Sequence, residues 1–186
     1  MPRAALALFV FVGLTVHTST AAAQVPARRY NMQAMAEGLG VRCTYCHTEK
    51  AGGTDYREDH PMKRVSRVMI AMTNDINAAI ASAVLKPEGE MRTVTCMTCH
   101  RGLTDPRPIH DILIETIDRQ TPDAAIAKYR ELRARYFGRD AYDFSEMALL
   151  RVAQRYTERT PPATLALARV NLEFFPKSAN TYVVMG

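Results

Sequence analysis

Apolar residues open the chain as one block and then break into a helical rhythm. Ala4 to Val16 is a predominantly apolar run behind Arg3, with no acidic residue, and small residues follow up to Ala21-Ala22-Ala23 before Gln24. A basic start, a short apolar segment and an A-x-A end predict an export signal over 1–23. The run is too short to favour a spanning helix, so an uncleaved membrane anchor is the weaker alternative. After it, apolar positions recur every three or four residues, the spacing of a helix face. That rhythm predicts a helix from about Ala27 to Glu37, ended by Gly38 or Gly40, and a second starting just after Pro61 and running to about Val84, before Pro87. The turn-rich stretch Gly-Leu-Thr-Asp-Pro-Arg-Pro, 102–108, marks a boundary between a unit at 24–108 and a second at 109–186. Beyond it a helix is predicted over 122–136, capped by Thr121-Pro122-Asp123, and an antiparallel pair over 143–156 and 162–174. Arg130, Arg133 and Arg135 read as the solvated face of the first of these. No strand pattern of any length is present, so the expected fold class is mainly α.

Four cysteines change the picture, because all fall in two copies of one pattern: Cys43-Thr44-Tyr45-Cys46-His47 and Cys96-Met97-Thr98-Cys99-His100. C-x-x-C-H is the attachment signature of c-type haem. Two thiols three residues apart project from one helical turn and can both form thioethers with the haem vinyl groups. The next histidine then supplies the proximal imidazole to iron. A zinc site usually separates its cysteine pairs by about 15–20 residues, less than the gap from Cys46 to Cys96. A disulfide pair suits an exported chain but needs neither histidine, and a redox-active C-x-x-C belongs near a βαβ pattern. The expected cofactors are therefore two haem c, held by Cys43, Cys46, Cys96 and Cys99, with His47 and His100 as proximal ligands.

Each motif is preceded by a predicted helix bearing M-x-x-M. Met32 and Met35 come before the first, Met32 standing eleven residues ahead of Cys43, and Met69 and Met72 come before the second. Methionines three apart share a helix face. Such a pair is ordinarily core packing, but each haem also needs a distal partner or an open position. The mature chain offers two further histidines, His60 and His110. The repeated unit of methionine helix, short connection and C-x-x-C-H favours His/Met ligation at both irons. One methionine of each pair would ligate and the other pack on the ring. His60, in a charged loop, reads as a solvated side chain, and His110 as a weaker alternative ligand.

The stretch from Asn31 to Gly102 resembles the cytochrome c subunit of photosynthetic reaction centres. The matching text is N-M-Q-A-M-A-E-G-L-G-V-R-C-T-Y-C-H, then P-M-K-R-V-S-R-V-M-I-A-M-T-N-D-I-N, then V-T-C-M-T-C-H-R-G. The resemblance implies Met32 and Met69 as distal ligands, with Met35 and Met72 as packing partners or alternatives. Members of that family carry four haems and often a lipid anchor. This chain has two motifs and no lipid-acceptor cysteine, so the resemblance carries over the haem module rather than a role in photosynthesis. Farther on, 166–180 is similar to the second helix of a tetratricopeptide repeat and the start of the next. Stacked repeats usually need three units, and about one and a half are visible. Either the array is truncated or these helices pack on the haem unit.

Composition adds bounds. The 186 residues suit one domain or one small domain with an appendage, and 47% hydrophobic residues exclude wholesale disorder. The formal charge of +5 falls to +4 if Arg3 leaves with the signal, and four haem propionates would offset most of that. No nucleic-acid partner is therefore expected. Together these features predict a periplasmic dihaem electron carrier, not an enzyme, that exchanges electrons with redox proteins or a membrane electron-transfer complex and takes no small-molecule substrate. The alternatives are a dihaem peroxidase or haem sensor with one open iron, and a scaffold that works through its repeat-like tail.

Overall fold

The computed structural model describes residues 31–83 and 93–186. The predicted export signal and the end of the second helix past Ala83 lie outside the described residues. Helix α1 is Met32–Leu39. The Asn31 carboxamide caps it, accepting from the amides of Gln33 and Ala34 at 3.0 and 3.3 Å. Of the two glycines expected to stop it, Gly40 does so, at φ +67°. Gly38 stays inside the helix and is buried. A Cβ on Gly38 would stand 2.9 Å from the Met97 amide nitrogen, and one on Gly40 would stand 2.2 Å from the Gly102 carbonyl oxygen. Both glycines thus permit α1 to lie directly on helix α3, Cys96–His100, and the Gly102 amide donates back to the Gly38 carbonyl at 2.9 Å.

Between these helices the chain departs from the strand-free expectation. Strands β1, Thr48–Lys50, and β2, Gly53–Asp55, pair antiparallel with Thr48 opposite Asp55 and Lys50 opposite Gly53. Helix α2 then runs Pro61–Ala83 with no fully buried residue. Asn77 ties it to the second motif: its carboxamide donates to the Val94 carbonyl and accepts from the Val94 amide, at 2.9 and 2.7 Å.

The remaining helices form a conventional core. They are α4 (Ile109–Arg119), α5 (Pro122–Tyr136), α6 (Glu146–Tyr156), α7 (Pro161–Phe174) and α8 (Ala179–Met185). Short connections make α4/α5 and α6/α7 antiparallel neighbours. Leu113, Tyr129, Leu149, Val152 and Leu167 are completely buried among them. α6 begins at Glu146 rather than at 143, because Asp143 accepts from the Ser145 amide at 2.9 Å in a turn that precedes the helix. Arg133 also differs from expectation. Arg130 is solvated and pairs with Glu173, but the Arg133 guanidinium sits 4.3 and 4.2 Å from the ring centres of Phe137 and Phe174 and donates to the Phe144 carbonyl. It is a packing element with cation–π support.

Every fully buried hydrophobic side chain among the described residues comes from Leu103 onward. In the preceding unit Met32, Val65, Val68, Met69, Met72 and Met97 are all exposed.

Candidate haem centres

The first C-x-x-C-H folds as a tight turn. Cys43–Tyr45 is one turn of 3-10 helix, and the amides of Cys46 and His47 both donate to the Cys43 carbonyl, at 3.2 and 3.1 Å. Residues of that turn, of α1 and of α2 line a cavity of about 490 Å³. Met32, Met35, Cys43, Cys46, His47 and Ile70 all line it. The volume is ordinary for a cofactor site. The Cys46 thiol lies 3.8 Å from the Ser66 hydroxyl, and the Tyr56 ring meets the His47 ring edge-on at 4.8 Å. Burial lowers the His47 pKa from its ordinary value, with smaller contributions from Lys63 and His60, which favours the neutral imidazole that metals bind. His47 Nδ1 is buried with no hydrogen-bond partner. Two thiols, a neutral imidazole and thioethers around an apolar space fit a covalently held haem.

The second motif is the short helix α3. Thr98 Oγ1 accepts from the Thr95 amide at 3.0 Å, which fixes its start. Its end turns sharply through Arg101 and Gly102, both at positive φ. This turn brings the Leu103 carbonyl to 2.7 Å from His100 Nδ1. A proton held there leaves Nε2 as the free lone pair, the arrangement by which a backbone carbonyl orients a metal-binding imidazole. Cys96 shares a cavity with Met35, Thr73 and Asn77, whereas Cys99 lines another beside His110.

The sequence-predicted residues are thus brought together unequally. Met32 and Met35 meet Cys43, Cys46 and His47. Met69 and Met72 are 38% and 46% exposed on α2 and line none of the described cavities. His60 caps α2, its Nδ1 accepting from the Met62 amide at 3.2 Å. His110 stands 3.5 Å from the Asp111 carboxylate. Sequence reasoning missed Asn77 and the double position of Met35, which lines the cavities of both motifs. Asn77 carried no signal, since its role needs a partner seventeen residues away; Met35 carried one, because it lies one turn from Gly38 on the helix that contacts α3. Among the described residues no three His, Cys, Asp or Glu side chains converge as an ion site.

The sequence profile of the photosynthetic reaction centre cytochrome C subunit family matches residues 25–138, more than half of the chain. The chain belongs to this family. Three curated relatives agree in kind. The photosynthetic reaction center cytochrome c subunit of Rubrivivax gelatinosus is 28% identical over 102 residues, covering 50% of this chain and 28% of that protein. Its counterpart in Thermochromatium tepidum is 29% identical over 83 residues, 40% of this chain and 20% of that one. Cytochrome c-554 of Chloroflexus aurantiacus is 34% identical over 73 residues, 39% of this chain and 16% of that one. The chain thus spans less than a third of the length of these relatives. No solved structure matches it. Family membership makes it a c-type cytochrome, a class whose haem is covalently bound. The matched region extends past the turn-rich stretch at 102–108 and takes in α4 and α5. No described helix is long and apolar enough to cross a membrane.

Proposed function

We propose that this cytochrome is a periplasmic dihaem electron carrier. Cys43 and Cys46 attach one haem and Cys96 and Cys99 the other; His47 and His100 are the proximal ligands. Met32 and Met69 are the distal ligands, with Met35 and Met72 as alternatives. The observation that carries this reading is the convergence of Met32, Met35, Cys43, Cys46 and His47 on one cavity, in a stretch where, among the described residues, no hydrophobic side chain before Leu103 is fully buried. The bound haem supplies a one-electron couple. With haem bound, the proposed histidine and methionine would both donate to the iron, a pairing that would raise the potential relative to other ligations and leave no position for substrate. His100, oriented by the Leu103 carbonyl, presents a single tautomer. Residues 24–108 form the haem unit and 109–186 a helical support resembling a tetratricopeptide array. Residues 1–23 act as the export signal, a reading supported by a family match that starts at residue 25. The partners are redox proteins, including a membrane electron-transfer complex of the kind the relatives' names describe.

The test is maturation in a host that attaches c-type haem, followed by mass and haem quantitation. Two haems per chain, falling to one in Cys43→Ala/Cys46→Ala and in Cys96→Ala/Cys99→Ala, are expected. One haem in the parent would end the dihaem reading. Met32→His should abolish the ferric iron–sulfur band of the first haem and lower its potential. An unchanged spectrum would assign Met32 to packing.

A second reading is favoured at one site. His110 shares a cavity with Cys99 while Met69 and Met72 do not, so bis-histidine ligation at the second iron competes with Met69. Met69→Ala and His110→Ala separate the two, because the variant that removes the true ligand yields a high-spin component.

A further inference from the structure

The cavity that gathers Met32, Cys43, Cys46 and His47 has a one-sided charge. Arg42, Arg57, Lys63 and Arg67 reach its wall, and no Asp or Glu does. The neighbouring acids are turned to other cations. Asp55 and Glu58 hold Lys50 at 2.8 and 3.2 Å, and Asp59 holds Arg64 and Arg67 at 3.2 and 2.9 Å. Lys63 donates to the backbone carbonyls of Tyr56 and Glu58. Arg42 and Arg57, by contrast, form no ion pair or side-chain hydrogen bond among the described residues. From 42 to 67 the chain carries six basic and four acidic residues, so the local surplus is two positive charges. It coincides with two unpaired guanidinium groups at the edge of an apolar space.

A guanidinium matches a carboxylate in shape, with paired donors and a charge-assisted bond stronger than a neutral one. A haem is an apolar disc with two carboxylates, which is the complement of this cavity in both respects. We propose that Arg42 and Arg57 hold the propionate carboxylates of the first haem, a subsite that rests on the haem reading above. The consequence is directional. Positive charge beside a haem favours the ferrous over the ferric state, so the two arginines raise the potential of the first haem over that of the same site without them.

The experiment is a redox titration of matured full-length protein. The first haem is assigned as the component lost in Cys43→Ala/Cys46→Ala. In Arg42→Gln/Arg57→Gln the ferrous-to-ferric ratio of that component at a fixed poise should fall about tenfold, about 59 mV for a one-electron couple. The second component should not move, and Arg42→Lys/Arg57→Lys should stay near the parent. An unmoved first component, or an equal shift in both, would overturn the proposal. So would a parent potential that moves with added phosphate at constant ionic strength, because that assigns the arginines to a free anion. Loss of the first haem in the Gln pair but not in the Lys pair supports it. If neither pair matures, Arg57→Gln alone is titrated, and an unmoved component there overturns the proposal. A parent with one haem sinks the dihaem reading instead, so the two failures are distinct.

Discussion

Gly40→Ala probes the contact that seats α1 on α3, the two helices that carry residues of the proposed haem sites. Gly40 sits at φ +67°, and an added Cβ would lie 2.2 Å from the Gly102 carbonyl oxygen and 2.8 Å from its carbon. Both are backbone atoms, so α1 and the turn after α3 must separate. A non-glycine residue in the left-handed region costs about 1–3 kcal/mol. Separation also forfeits the 2.9 Å bond from the Gly102 amide to the Gly38 carbonyl, a further ~1 kcal/mol. The total of about 2–4 kcal/mol corresponds to a fall in Tm of roughly 10–25 °C for a unit of this size. The assay is thermal unfolding of the matured protein, followed by far-ultraviolet circular dichroism and by the haem absorption band. The haem band should report the full loss, since α1 carries Met32 and α3 carries Cys96. Gly52→Ala is the control, because a Cβ there meets nothing within 4 Å. A Gly40→Ala protein melting within 2 °C of the parent, as Gly52→Ala should, would refute the close approach of α1 to α3.

Two further predictions concern the hairpin and the helical core. Asp55 has its pKa lowered to about 2, first by the hydrogen bond from Lys50 and then by the amides of Arg57 and Glu58. Its folded pKa lies below the unfolded value, so the hairpin's stabilisation is present above about pH 4 and fades as pH falls toward 2; Lys50→Met should therefore differ from the parent in hairpin amide exchange at pH 6, and the difference should vanish near pH 2. A difference that persists there would contradict the assignment. Leu167, fully buried on the core-facing side of α7, should cost about 2–5 kcal/mol when changed to Ala. The loss should appear in dichroism with the iron–sulfur band retained below the transition, and simultaneous loss of that band would mean that the two units unfold as one.

What the sequence made legible was what is local. C-x-x-C-H is a covalent constraint contained in five residues, and Gly40 and Pro61 are punctuation that needs no partner. α5 begins at Pro122 under its Thr121 cap because capping is decided within four residues. The hairpin escaped notice because strands of three residues, one reading Thr-Glu-Lys, leave no room for alternation to register. The choice between Gly38 and Gly40 as the stop of α1 was not legible, because the reason for Gly38 is an approach by Cys96 and Met97, almost sixty positions away. Arg133 carries a charge, and nothing beside it announces that Phe137 and Phe174 will enclose it. The first methionine pair also lies nearer its motif in sequence than the second: only α1 and a short turn separate Met32 from Cys43, whereas the rest of α2 and a connection separate Met69 from Cys96.

The measurement closest to the central claim is a redox-titrated visible spectrum of protein from a host able to attach c-type haem. The account predicts two one-electron components at positive or mildly negative potential, with the red-end band of a ferric iron–sulfur bond and no spectral change on adding carbon monoxide to the reduced protein. A high-spin component that binds carbon monoxide, or two strongly negative potentials without that band, would contradict a dihaem His/Met electron carrier.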